Sequence, residues 1–171
     1  MAPPAATLPH RISTLIYAFN RRGDLLMLHR RRPPNAGLWS PFGGKLRRSD
    51  GESPHQCAAR ETFEEIGLRV RPQAFHLAGM VAERAYEGEN HWLMFMFELK
   101  PRLARRPRDH SEGVFEFVPL SRVTRRSIPA TDRQVLWPLF RKYRGGFFAV
   151  SIRCRAEGNF SWTLEQSLRS R

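Results

Sequence analysis

The chain has 171 residues, enough for one full domain and too few for two ordinary ones, and its 41% hydrophobic content supports a packed core. It carries 29 bases against 16 acids, a net charge of +13, and 26 of the bases are Arg. No stretch approaches the ~20 apolar residues of a membrane span, and the two cysteines, Cys57 and Cys154, match no metal spacing and fit a reducing cytosol.

In chain order, residues 1–10 lack the charged and apolar blocks of a secretory signal. They are expected to form a disordered tail ahead of a single domain over 11–171. Ile12 to Phe19 and Asp24 to Arg30 read as strands joined by the turn Asn20-Arg-Arg-Gly23, a predicted hairpin. Trp39 to Gly43 is a short strand-like segment. Ser53, Pro54 and Gln56 spell the start of a helix with a capping box, and Gly67 its left-handed end. Phe75 to Tyr86 is a long irregular strand. His91 to Leu99 is nearly all apolar, as a central strand buried on both faces is. Val114 to Val118 alternates as a strand. Thr131 or Asp132 caps a second helix that runs to about Tyr143. Phe147 to Cys154 and Phe160 to Glu165 form a terminal hairpin. Strands with few intervening helices imply an α/β fold built on a mixed sheet.

The helix after Ser53 breaks the charge pattern of the chain. Four of the 16 acids lie between Glu52 and Glu65. Glu61, Glu64 and Glu65 stand three and four residues apart and share one helical face. Ala59, Thr62, Phe63 and Ile66 are expected to point inward and the carboxylates outward. Acids gathered in a basic chain suggest a hard divalent cation held by oxygen.

The full string is more specific than the acids alone. From Glu52, seven residues lead to Arg60-Glu-Thr-Phe-Glu-Glu-Ile-Gly-Leu68. This resembles the Nudix box of hydrolases that act on nucleoside diphosphates linked to another moiety. Seven residues separate Gly44 from Glu52 where the family pattern has five, so the loop over Leu46 to Asp50 gains two. Thr62 replaces the usual aliphatic residue.

The resemblance implies a Nudix-type α/β/α sandwich over about Ile12 to Phe148 and a Mg²⁺ cofactor, with Mn²⁺ as the alternative. It implies metal ligation by Glu61, Glu64, Glu65 and the Gly44 carbonyl, and an orienting pair, Glu52 and Arg60. A general base outside the box is expected at Glu112. Leu38-Trp-Ser-Pro-Phe-Gly-Gly-Lys45 and Pro129-Ala-Thr-Asp132 resemble the MutT-like branch that hydrolyses oxidised purine nucleoside triphosphates. On that likeness Trp39, Phe42, Lys45 and Asp132 contact the nucleotide, although Ser40 stands where relatives have a purine-reading Asn. Arg30 and Arg31 are candidate phosphate clamps, since Arg offers a two-pronged fork.

The expected partner is a small nucleotide. ADP-ribose, nucleotide sugars and dinucleoside polyphosphates are alternative substrates. A non-catalytic nucleotide- or RNA-binding module is a third reading, opposed by the intact acids. The basic charge is scattered in short Arg clusters, and dedicated nucleic-acid binders concentrate it in one patch. Steering of a polyanionic small substrate accounts for it.

Overall fold

The computed structural model describes residues 7–170. Most of the tail expected over 1–10 lies outside that range. Within it, the Pro9 carbonyl accepts from the His91 N–H, and regular structure begins at His10.

Eight strands and two helices follow: β1 (His10–Tyr17), β2 (Leu25–Arg30), β3 (Trp39–Ser40), α1 (Pro54–Ile66), β4 (Phe75–Tyr86), β5 (Asn90–Leu99), β6 (Gly113–Val118), α2 (Trp137–Lys142), β7 (Phe147–Cys154) and β8 (Phe160–Leu168). A five-stranded sheet has the order β1-β5-β4-β7-β8, and a second sheet has the order β3-β2-β6. The large sheet is mixed: β1 runs parallel to β5 and β4 parallel to β7, while β4–β5 and β7–β8 are antiparallel.

The expected hairpin of β1 and β2 forms only next to its turn, where Phe19 bridges Leu25 antiparallel and the Leu26 N–H donates to the Ala18 carbonyl at 2.8 Å. Asn20 closes the turn, its side chain accepting from the N–H groups of Arg22 and Asp24. The strands then part into different sheets, β1 beside β5 and β2 between β3 and β6. The physical reason is burial on both faces. Leu25 to Leu28 are all buried, so β2 fills an interior slot that a two-stranded ribbon cannot supply.

Alternation along β1 divides the core in two. Ile16 and Ala18 face the layer of α1, with Ala58, Phe97 and Phe115. Tyr17 and Phe19 face the layer of α2, with Leu136, Trp137 and Phe140. Tyr17 stacks on Phe140 at 4.2 Å between centroids, a contact worth ~0.5–1.5 kcal/mol beyond its buried area. The central strand by position is β4. In β5, Trp92, Leu93 and Phe95 are only half-buried.

A π-helical turn over Asp132–Leu136 leads directly into α2. Pro138 explains it. Proline has no N–H to give to the carbonyl four residues back and its ring crowds that carbonyl, so the turn widens and the Trp137 N–H reaches Asp132 O. Thr131 and Asp132 therefore do not cap a helix as expected. Thr131 already has helical dihedrals, and no side chain makes a cap bond.

Candidate active site

The capping box of α1 forms as its sequence spells it. Ser53 Oγ accepts from the Gln56 N–H at 3.2 Å, and Gln56 Oε1 accepts from the Ser53 N–H at 2.9 Å. Gly67 ends the helix at φ 70°. Ahead of α1 the lengthened loop folds into a short 3₁₀ turn, Arg48–Asp50, closed by Gly51 at φ 62°. The lengthened loop thus closes before the helix begins at Pro54.

Arg60 is the hub that ties loop to helix. Its Nε and Nη2 grip the two oxygens of Glu52 at 2.7 and 3.0 Å. Nη1 donates to Glu61 at 2.7 Å and Glu64 at 2.9 Å, and Nη2 also reaches the Lys45 carbonyl at 3.1 Å. Glu52 accepts the Arg47 N–H as well, at 2.8 Å. Arg60 thereby holds the Glu52 carboxyl below the usual carboxylate range. Both residues position the helix.

The faces of α1 differ from the amphipathic expectation. Glu61 points inward and is 8% exposed, whereas Phe63 is 41% exposed and covered by the Arg69 guanidinium at 3.9 Å. Cys57, Ala58 and Thr62 make the buried stripe with Glu61. Polarity alone assigns Glu61 to solvent, but Gly44 leaves room for it: a Cβ at that position would lie 2.2 Å from Glu61 Oε1. Gly44 supplies space, and its carbonyl, the expected ligand, is turned to the interior. Its carbonyl accepts the Thr14 N–H at 2.8 Å and is approached by Thr14 Oγ1 and Cys57 Sγ, so its lone pairs are engaged in the interior.

The acids raise one another. Glu65 is pushed up to about 7, first by burial, then by the charges of Glu112 and Glu61, with Arg30 opposing. Glu61 is raised by burial, against Arg60. His110 Nε2 lies 2.9 Å from Glu65 Oε2, yet both atoms are buried out of hydrogen-bond line and without a partner. Glu64 is the outward member, held by Arg47 and Arg60.

Inward carboxylates with an orphaned oxygen are a donor set that suits a hard cation. Glu61 and Glu65 fit that group, with Glu112 close beside them. Among the described residues no three His, Cys, Asp or Glu side chains already converge on one point. Glu61 and Glu64 are turned onto Arg60, so ligation draws Glu61 away from it.

Beside these acids opens a cleft of about 760 Å³, its mouth included, with Arg30, Gly44 and Lys45 at the rim. Arg30 both lines it and opposes the charge of Glu65. Its far end is polar: Ser40, Glu83, Tyr86, Thr131 and Asp132. Asp132, the first residue of the π turn, stands at this end. Glu83 is 5% exposed, and Ser40 Oγ is buried with no hydrogen-bond partner. Burial pushes Glu83 up to about 7; Asp132 also stands at about 7, raised by burial first and then by Glu83.

Three expected contacts lie elsewhere. Phe42 is fully buried against Phe115, a core residue. Trp39 is engaged by the His29 ring at 4.8 Å and the Arg126 guanidinium at 4.8 Å, away from the cleft lining. Arg31 donates to the carbonyls of His110 and Glu112, fastening the loop before β6. Glu112 is brought near Glu65, while Glu83 and His110 are site residues that sequence reasoning missed.

The buried acids set a pH dependence. Glu83 ionises near its ordinary value in the unfolded chain and at about 7 in the folded one. Between those values the native state binds more protons, so stability falls as pH rises through 4.5 to 7. Glu83→Gln removes that penalty. Its thermal midpoint is expected to exceed that of the parent at pH 8, by an amount on the order of 1–3 kcal/mol in stability, and to converge with it at pH 4. A variant less stable than the parent at pH 8 would contradict the buried, uncompensated placement of Glu83.

Among the described residues, no helix is long and apolar enough to cross a membrane. The crystal structure of a mutator MutT protein from Bacillus halodurans superposes with a TM-score of 0.71 at 21% identity, covering 91% of this chain and 97% of that one. The NAD-capped RNA hydrolase NudC of Stutzerimonas stutzeri is 35% identical over 74 residues, 42% of this chain and 26% of that protein. An octanoyltransferase of Myxococcus xanthus is 53% identical over 45 residues, 26% of this chain and 12% of that protein. The chain thus spans about a quarter or less of the length of these curated relatives. The NUDIX domain family model matches residues 9–141, from just ahead of β1 into α2. A match over most of the chain, with the acidic helix inside it, places the chain in the NUDIX domain family.

Proposed function

We propose that this chain is a divalent-cation-dependent pyrophosphohydrolase of nucleoside diphosphate-linked substrates. Its preferred substrate is a purine nucleoside triphosphate, ordinary or oxidised, cleaved to monophosphate and pyrophosphate in the cytoplasm. The observation that carries the reading is Arg30, which stands between the inward acids of α1 and a cleft whose far end is lined by Glu83 and Asp132.

The rest follows from the chemistry of each group. Arg30 and Lys45 are the cations available to a phosphate chain at the rim. Mg²⁺, held by Glu61 and Glu65 with Glu112 free beside them as base, would neutralise phosphate charge and acidify water. Arg60 and Glu52 keep the helix and loop in register with it. The attacking water loses its proton to a carboxylate, its oxygen bonds to phosphorus, and the anhydride P–O bond breaks to release pyrophosphate. At the other end Glu83, Asp132 and Ser40 offer acceptors to the N–H groups of a base. Two neighbouring carboxyls in a desolvated site share a proton near neutral pH and titrate as a pair. One can then donate while the other accepts.

Asp132→Asn is expected to reduce discrimination between purine and pyrimidine triphosphates about tenfold or more. A charge-assisted hydrogen bond contributes ~1.5–3 kcal/mol, at ~1.4 kcal/mol per decade. The check is kcat/KM for four triphosphates, before and after the substitution. Unchanged ratios would remove Asp132 from base reading.

The partial likeness to NudC supports a second reading, hydrolysis of a dinucleotide or another extended nucleotide such as ADP-ribose, a nucleotide sugar or a dinucleoside polyphosphate. A panel of these compounds with Mg²⁺ or Mn²⁺, with pyrophosphate and nucleoside monophosphate assayed separately, separates the two. Absence of product with every member would favour a binding module.

A further inference from the structure

The face of the large sheet opposite the cleft carries a second feature. Register places its residues. His10 pairs with His91, Arg84 with Arg153, and Arg153 with Ser161. One step along, Leu93 pairs with Ala82, Ala82 with Ser151, and Ser151 with Thr163. Residues two apart on a strand share a face, so both rows lie on one side. Glu83 and Trp92, out of step by one, line the cleft on the other.

Further along this same side, Ile16, Ala18, Phe97 and Leu99 are covered by the α1 layer. The end bearing the two rows lies open. It forms a groove of about 1040 Å³, its solvent-open space included. Across five strands at ~4.8 Å spacing the groove crosses about 19 Å.

The chemistry along it is mixed in a particular way. Arg84 and Arg153 are exposed cross-strand neighbours, and among the described residues neither forms an ion pair. Like charges placed side by side on a sheet cost stability unless an anion lies across them. His10 and His91 set two rings edge to face at 6.0 Å. Trp162, on the outer strand, pairs with Ile152 and so lies on the cleft side of the sheet, leaving the two histidines as the rings of this face. Ser151, Ser161 and Thr163 add hydroxyls. Cations, stackable rings and hydroxyls on an open sheet face are what single-stranded nucleic acid uses: phosphates on arginine, bases on aromatic faces. Scattered in sequence, these groups are gathered into one patch by the sheet register.

We infer that this face binds single-stranded nucleic acid, with Arg84 and Arg153 on consecutive phosphates. The site is separate from the cleft and does not depend on the hydrolase reading. The test uses the full chain and a fluorescein-labelled mixed-sequence single strand of about 12 nucleotides, within the ~4–16 typical of such sites, read by anisotropy against salt. Arg84→Glu/Arg153→Glu is expected to weaken binding at least tenfold and to lower the slope of log K against log salt by about 1.4, at ~0.7 per phosphate contact. Nucleotide hydrolysis should stay unchanged. Arg21→Glu/Arg22→Glu, with the same change in net charge, should bind as the parent does. Arg84→Gln/Arg153→Gln gives the same reading should the reversal not fold. Equal weakening by the Arg21 and Arg22 reversal, equal competition by inorganic tripolyphosphate or duplex, or parental affinity in the Arg84 and Arg153 variants would each overturn the assignment.

Discussion

Glu65→Gln is expected to lower kcat at least ~100-fold, since changes around a bound metal cost ~10–100-fold or more, while the fold persists. The amide keeps the volume of the side chain and removes its charge. That charge is already disfavoured: burial, Glu112 and Glu61 push Glu65 up to about 7. The folded protein therefore holds a proton there that the unfolded chain releases near its ordinary value, and the parent loses stability as pH rises through that interval. The glutamine variant has no such loss. In the absence of metal it should be at least as stable as the parent at pH 8, so lost activity cannot be assigned to unfolding. Turnover at saturating substrate over a Mg²⁺ titration, with the thermal midpoint of each protein, makes the check. Near-parental turnover at limiting Mg²⁺ would exclude Glu65 as a ligand.

The parts of this fold legible in the sequence are those whose cause is local. Ser53, Gln56 and Gly67 delimit α1 through bonds made within a few residues, and the helix begins and ends where they place it. The bounds of β4 and the hairpin of β7 and β8 follow from alternation and a turn between neighbours. The family was legible because the box has fixed spacing from Glu52 onward. What failed was non-local. How far β1 and β2 stay paired beyond their turn depends on β5 and β6, far along the chain, and on the double burial of Leu25 to Leu28.

The site shows the same division. Helical periodicity sorts residues by polarity, so it sends Glu61 outward and Phe63 inward. The structure reverses both, because Gly44 leaves a hollow for the carboxylate and Arg69 shields the ring. Glu83 was missed for a related reason. In Phe75 to Tyr86 it reads as one acid on the solvent side of a strand. A register shift between Leu77 and Gly79 resets the alternation, and Glu83 turns inward beside Thr131 and Cys154. The signal available in sequence was the lone acid of this strand, next to Arg84, which alone does not distinguish the two sides. For Asp132 the local sign is Pro138, six residues on, which widens the turn so that Asp132 lies within it and does not cap it.

Glu112→Gln is the second large effect expected, a fall in kcat of ~10²–10⁴-fold, the range for a general base. The loop that carries it is fixed. The Arg31 N–H donates to the Glu112 carbonyl at 2.8 Å, and the Glu112 N–H donates to His110 Nδ1 at 3.1 Å. Its carboxylate is close enough to Glu65 to raise it. That is where a water held at the acids of α1 would lose its proton. A base differs from a ligand in what its loss changes. With Gln at 112, the Mg²⁺ concentration for half-maximal rate should move less than in the Glu65 variant, and the acidic limb of the pH–rate profile should flatten. Glu64, a second candidate for the base on α1, is weakened by its exposure and by its two arginine partners. The alternative is His110, whose Nε2 lies 2.9 Å from Glu65 Oε2; since Nδ1 accepts the Glu112 N–H, Nε2 carries the ring proton, and a base role there requires the other tautomer. An unchanged profile in Glu112→Gln, together with a flattened one in His110→Gln, would transfer the role to the histidine. The converse result would leave His110 as the residue that positions Glu112 through its backbone.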